Sequence, residues 1–353
     1  MAALSIQAGP AALQHLREHG FRPSDVKMMA GASGGAKWLV LAGMDKALLS
    51  EVVPQFEGPV HLLGSSIGAW RFGCYTQSDP LAAIERFQHA YVEQTYSEKP
   101  TRDEISRVGR EMLDYIIGES GAAEIPEHPV FRLHVMAVRA RHLSASEKTP
   151  VLLTGLTLAM LSNLVSRRAL GGFFSRALVS DRRDRAPFTN VDDFPIDHIE
   201  LTTENVIPAI QASGAIPMVL NGVSPLPGAP DGVYRDGGII DYHFDVPLSA
   251  STGLTLFPHF YEHLTPGWFD KRLKRRKPKS QHLDRVILMS PSPEFVAGLP
   301  YGKIPDRQDF KTMAPDERRT AWRRVVRESE RLGDELLEWV ASDAPANACR
   351  PLV

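Results

Sequence analysis

The period of the apolar positions changes several times along the chain, and each change marks an expected element. Ala12, Leu13 and Leu16 share one side of a short helix over 11–19, closed by Gly20. Residues 26–30 and 60–63 are short, mostly apolar runs of strand type. Each runs into a glycine turn, 31–37 after the first and 64–68 after the second, and each turn opens a helix. Strand, glycine turn and helix, twice in succession, predict the α/β class. Such folds have a mostly parallel central sheet with helices packed on it and sites at the carboxyl ends of the strands.

Residues 81–97 and 102–117 carry apolar positions at helical intervals, whereas 131–138 alternate like a strand. From Thr149 to Ser166 there is no charged residue. The apolar core of that stretch, 151–161, is well short of the ~20 residues a membrane span needs. A buried or lipid-facing helix is expected, and an internal helix is the commoner role of such a stretch. Arg167, Arg168, Phe173 and Phe174 behind it form a basic and aromatic flank suited to a membrane interface. Further on, the pattern predicts an edge strand over 197–201, a helix over 207–213, and a strand running into Asp236. A last core strand over 285–290 and one amphipathic packing helix over 315–340 follow. The charge-dense stretch 270–280 is the candidate linker.

With 353 residues the chain can bury a large core, and one elaborated domain is the expectation. Its 43% hydrophobic and 23% charged residues are those of an ordinary soluble globular protein. A net charge of −2 argues against a dedicated nucleic-acid binder. Cys74 and Cys349 are too few for a disulfide framework and lack metal-ligand spacing, so no metal is indicated and a reducing compartment fits. The first residues lack the basic start and apolar run of a secretory signal. A cytoplasmic location with peripheral membrane contact, and no transmembrane segment, is the expectation.

Gly64-Ser65-Ser66-Ile67-Gly68 has the form of a nucleophile elbow: a strand ends in a sharp turn, glycines on both sides of the serine avoid clashes, and a helix begins at once. The positive end of that helix would favour negative charge at Ser66. Asp236-Gly237-Gly238, 170 positions later, offers a carboxylate to take the hydroxyl proton, and its glycines let the backbone turn towards the nucleophile. Gly31-Ala32-Ser33-Gly34-Gly35 also satisfies GxSxG, so the pattern alone does not choose between Ser33 and Ser66. Order favours Ser66, which has a glycine loop upstream to hold an oxyanion.

Three blocks resemble, in order and approximate spacing, those of the patatin-like phospholipases: Gly64-Ser65-Ser66-Ile67-Gly68-Ala69, residues 209–217, and Tyr234-Arg235-Asp236-Gly237-Gly238. Ser33-Gly34-Gly35-Ala36-Lys37 is similar to the glycine-rich loop of that family, with Ser33 and Trp38 where glycines usually stand. The resemblance covers about 27–248 of a single domain over 1–353. It leaves 249–353 as a C-terminal extension with a basic loop, the last strand and the amphipathic helix. It implies a three-layer α/β/α domain and a Ser66/Asp236 dyad. It also implies an oxyanion hole from the amides of Gly34, Gly35 and Ala36, with Lys37, Gly64, Gly68, Gly237 and Gly238 in support. The implied activity is hydrolysis of lipid acyl esters, of phospholipase A type, through an acyl-enzyme and without a cofactor.

Other readings stay open on the sequence. A Ser-His-Asp triad would draw on His259, His263 or His282, with His243 close in sequence to the acid. An acyltransferase would use the same acyl-enzyme, and a catalytically weak lipid-binding module would use the same scaffold. Lys271, Arg272, Lys274, Arg275, Arg276, Lys277 and Lys279 put seven positive charges in nine residues, just after Trp268 and Phe269. Near an anionic bilayer each charge contributes about 1 kcal/mol; a solvated loop is the alternative.

Overall fold

The two apolar runs that end in glycine turns lie at the centre of a sheet in the computed structural model, which describes residues 2–186, 188, 191–248 and 252–352. Among the described residues the strands are β1 (Leu4–Ala8), β2 (Val26–Gly31), β3 (Val60–Ser65), β4 (Phe131–Ala140), β5 (Phe174–Ser180), β6 (Ile196–Glu200), β7 (Val233–Asp236), β8 (Leu254–Pro258), β9 (Val286–Pro291) and β10 (Cys349–Pro351). They form one sheet in the order β10-β1-β9-β8-β2-β3-β4-β5-β6, with β7 paired to β4. The central run β9-β8-β2-β3-β4 is parallel throughout. Helices cover it, so β3 and β9 are buried at every position, and parallel strands of this kind are near-continuous apolar runs rather than alternating ones. The mostly parallel α/β architecture agrees with the expectation from the alternating elements.

Tertiary packing accounts for the elements that differ. Phe174, expected at a membrane interface, is fully buried at the head of β5, where it pairs with Ala140 of β4. The strand over 286–291 is followed by a further edge strand, β10, beside β1. The tail helix is two helices, Pro315–Glu328 and Glu330–Val340. They meet at the buried Ser329, whose hydroxyl accepts the Gly43 N–H at 2.9 Å. The stretch 270–280 joins β8 to β9, parallel neighbours in the same sheet, and its Asp270 is buried, so it does not separate two bodies.

The uncharged helix Thr149–Val165 divides its apolar residues between two faces. Leu152, Leu156 and Ala159 pack inwards with Ile239 and Ile240, while Leu153, Leu158, Met160, Leu161 and Leu164 are exposed and Val165 is 89% exposed. No helix among the described residues is long and apolar enough to cross a membrane.

Candidate active site

Three strands determine where the elbow and the acid meet. β5 occupies one edge of β4, from His134↔Ser180 to Ala140↔Phe174. β3 and β7 share the other edge end to end, β3 from Val60↔Phe131 to Ser65↔Met136 and β7 from Ala137↔Asp236 to Ala140↔Val233. β3 leaves that edge at Ser65, and antiparallel β7 takes the next pair. The residue after β3 and the last residue of β7 therefore face each other, and Ser66 Oγ donates to Asp236 Oδ2 at 2.7 Å.

The backbone at Ser66 is strained, with φ +52° and ψ −123°, outside the regions L-residues favour. Ser213 holds it there: the Ser66 N–H donates to Ser213 Oγ at 2.7 Å, and that hydroxyl donates to the Met136 carbonyl at 2.6 Å. Helix Ile67–Tyr75 follows directly, with its N-terminus at Ser66. Gly68 is required by close approach, because a Cβ there would lie 1.8 Å from the Gly31 carbonyl oxygen of β2. Gly64, the penultimate residue of β3, lies against the Ala69 backbone of the elbow helix, while Gly237 lies against the Met136 carbonyl.

Asp236 is buried beside the hydroxyl, and its Oδ1 accepts the Gly238 N–H at 2.7 Å. Burial pushes its carboxyl up to about 6, and the hydrogen bonds from Ser66 and Gly238, with the positive charges of Lys271 and Arg307, offset only part of that rise. A carboxylate of this basicity is better matched to receiving a proton near neutral pH than an ordinary aspartate.

Gly34 and Gly35 line the same cleft as Ser66 and Asp236, and Ala36 is buried behind them. They head the 3-10 helix Gly35–Leu41, whose leading amides have no intrahelical carbonyl to bond. Gly35 takes φ +57°, the left-handed region. Ser33 is buried in the turn, donating its hydroxyl to Ser65 Oγ at 2.9 Å and its N–H to the Tyr242 carbonyl. Among the described residues no carboxylate or imidazole bonds that hydroxyl. Trp38 is fully buried and stacks on Phe87, 4.3 Å between centroids, so it does not intrude on the loop. Lys37 is half-buried and lines the cleft. A buried trio ties loop to elbow: Arg71 and Tyr75 of the elbow helix both donate to Asp45 in helix Ala42–Ala47.

The histidines lie elsewhere. His243 Nδ1 accepts the Thr265 N–H, and His259 packs edge-on against its ring at 4.3 Å. Burial holds both imidazoles below their ordinary range, His259 at about 3. His282 bonds Asp245 at 2.9 Å and His263 stacks on Tyr261. Among the described residues no histidine hydrogen-bonds Ser66, so a triad is not assembled. None of the His, Cys, Asp and Glu groupings among them could hold a metal.

The basic segment splits in two. Arg276 donates to Asp270 and Asn163, and Lys271 places its Nζ 3.9 Å from the Tyr242 ring centroid at the cleft. Lys271 is exposed there, as are Arg272, Lys274, Arg275, Lys277 and Lys279, which do not line the cleft. The cleft also includes Tyr91, Tyr242, Trp268 and Arg307, which sequence reasoning did not assign to it. Ser213 lies inside the 209–217 block, but nothing in the sequence marks its hydroxyl as the clamp on the elbow.

A family model described as patatin-like phospholipase matches residues 32–244. No curated protein matches the chain. Among solved structures, VipD from Legionella pneumophila is similar over 95% of this chain and 70% of its own, with 13% identity and a TM-score of 0.35. Human GIVD cytosolic phospholipase A2 is similar over 96% of this chain and 63% of its own, with 9% identity and a TM-score of 0.33. The matched stretch contains the glycine loop, the elbow and Asp236 and spans well over half of the sequence, and on that match the chain belongs to the patatin-like phospholipase family.

Proposed function

We propose that the protein is a serine hydrolase of lipid acyl esters, with Ser66 as nucleophile and Asp236 as general base. The observation that carries this reading is the 2.7 Å hydrogen bond from Ser66 Oγ to Asp236 Oδ2 at a strained elbow. In the first half-reaction Asp236 takes the Ser66 proton as Oγ attacks the ester carbonyl. The developing oxyanion is held by the amides heading the 3-10 helix at Gly34 to Ala36 and by the elbow helix N-terminus. Collapse breaks the ester C–O bond, and Asp236 returns the proton to the leaving alcohol. Water then attacks acyl-Ser66, giving its proton to Asp236, and Ser66 leaves with that proton as the fatty acid is released.

Labelling the intact protein with a lipid-like fluorophosphonate and locating the adduct by mass spectrometry tests the assignment. The adduct is expected on Ser66, with hydrolysis abolished in Ser66→Ala and Asp236→Asn. Undiminished turnover in either variant, or labelling at Ser33, would refute it. The preassembled dyad favours an enzyme over a binding module.

The substrate is proposed to be reached from a bilayer. The basic segment abuts the C-terminal part of Thr149–Val165 through the buried Asn163, which Arg276 and Asp270 both bond, and each of the two carries exposed residues, apolar on the helix and cationic on the segment. An apolar face flanked by cations is the pattern of a helix lying in an anionic interface.

A further inference from the structure

Lys37, Lys271 and Arg307 converge on the cleft that holds Ser66 and Asp236. They come from three separate parts of the chain, and Lys271 and Arg307 lie outside the matched stretch 32–244. Among the described residues none of the three is ion-paired with a carboxylate. The carboxylates whose charge reaches Lys37, Asp306 and Asp309, also pair with Lys303, at 3.4 and 2.5 Å. Asp236 is the one cleft carboxylate that Lys271 and Arg307 act on, so three cations share a single counter-charge and the cleft keeps an excess of positive charge that a bound anion would offset.

The aromatic walls add a second constraint. Quaternary and primary ammonium headgroups are commonly recognised on aromatic ring faces. Here the protein's own cations stand over those faces. Lys271 Nζ is 3.9 Å from the Tyr242 centroid and 5.9 Å from that of Trp268, Arg307 is 5.9 Å from Trp268, and Lys37 is 6.0 Å from Phe260. A zwitterionic headgroup would bring its cation among three others, with the Tyr242 and Trp268 faces of the cleft already taken.

We infer that Lys37, Lys271 and Arg307 form a headgroup subsite that selects ester lipids whose phosphate carries no ammonium group, over zwitterionic ones. The inference rests on the hydrolase reading above and extends it to the substrate class.

Short-chain lipids below their micelle concentration separate this subsite from adsorption to a charged surface. Binding of monomeric dihexanoyl phosphatidylglycerol and dihexanoyl phosphatidylcholine to Ser66→Ala is measured by calorimetry, and hydrolysis of both by the wild-type protein alongside. A preference of about tenfold or more for the anionic lipid is expected in both, as charge-assisted hydrogen bonds provide. Lys271→Gln and Arg307→Gln are each expected to lower that ratio several-fold, chiefly through KM, and Lys271→Arg to keep it. Equal binding of the two lipids by Ser66→Ala, or a ratio unchanged in the double Gln variant, would overturn the subsite. Inorganic phosphate bound as tightly as the anionic lipid would assign the cluster to a free anion and overturn it too. Selective binding with no turnover would instead sink the hydrolase reading and leave the subsite standing.

Discussion

As the proposed base, Asp236 has to be basic enough to take a proton and yet ionised when substrate arrives, and burial brings its carboxyl to about 6. The ionised form is the base, so kcat/KM for a neutral ester is expected to fall as pH drops through about 6 and to level off above it. A profile flat down to pH 4 would remove Asp236 as the base. The same shift has a cost in stability. A carboxyl raised in the folded state binds protons more tightly there than in the unfolded chain, so its ionisation destabilises the fold as pH rises from about 4 to about 6. Asp236→Asn is therefore expected to be more stable than the wild type at pH 8, by on the order of 2 kcal/mol, with the difference closing near pH 4. Calorimetric Tm values at the two pH values check this. The meeting of Ser66 with Asp236 was legible because the proposed chemistry needs those residue types at fixed positions in glycine turns. Lys271 and Arg307 were not, since a cation's place in a cleft depends on how distant segments pack.

Elements were legible where one local signal dominated. β2, β3 and the elbow helix follow from apolar runs punctuated by glycine. The break in the tail helix does not, because it arises where Ser329 meets Gly43, a contact between residues 286 positions apart. The uncharged helix was ambiguous for a related reason: both of its faces are apolar, and only packing decides which one is covered. Two predictions belong here. Asp45 anchors the loop helix to the elbow helix through Arg71 and Tyr75, all buried, so Asp45→Ala is expected to cost about 3–5 kcal/mol of stability by leaving an uncompensated guanidinium. Denaturant titration measures it. Leu161→Glu and Val165→Glu are expected to weaken co-sedimentation with anionic vesicles while leaving hydrolysis of a monomeric ester unchanged. Sedimentation indifferent to these changes and to salt would remove the bilayer contact.

At the scale of the whole molecule, the sheet does not respect the boundary drawn from the motifs. β8 lies beside β2 at the sheet centre, and β9 joins it to β1. A chain ending at Leu248 would leave the buried edge of β2 without its partner, and it is expected to be insoluble or unfolded by circular dichroism, whereas a separable extension would leave it folded. That dependence was illegible because β8 is only five residues long and its neighbours in space are distant in sequence.

The meeting of β3 and β7 on one edge of β4 also sets an order in time. Ser66 leaves the ribosome 170 residues before Asp236, and Lys271 and Arg307 follow later still. A chain in the middle of synthesis carries a serine with no base beside it and no completed cleft. Its hydroxyl gains its carboxylate partner only once the edge beyond Ser65 is filled, so under the proposed mechanism a half-made chain has no base to activate it.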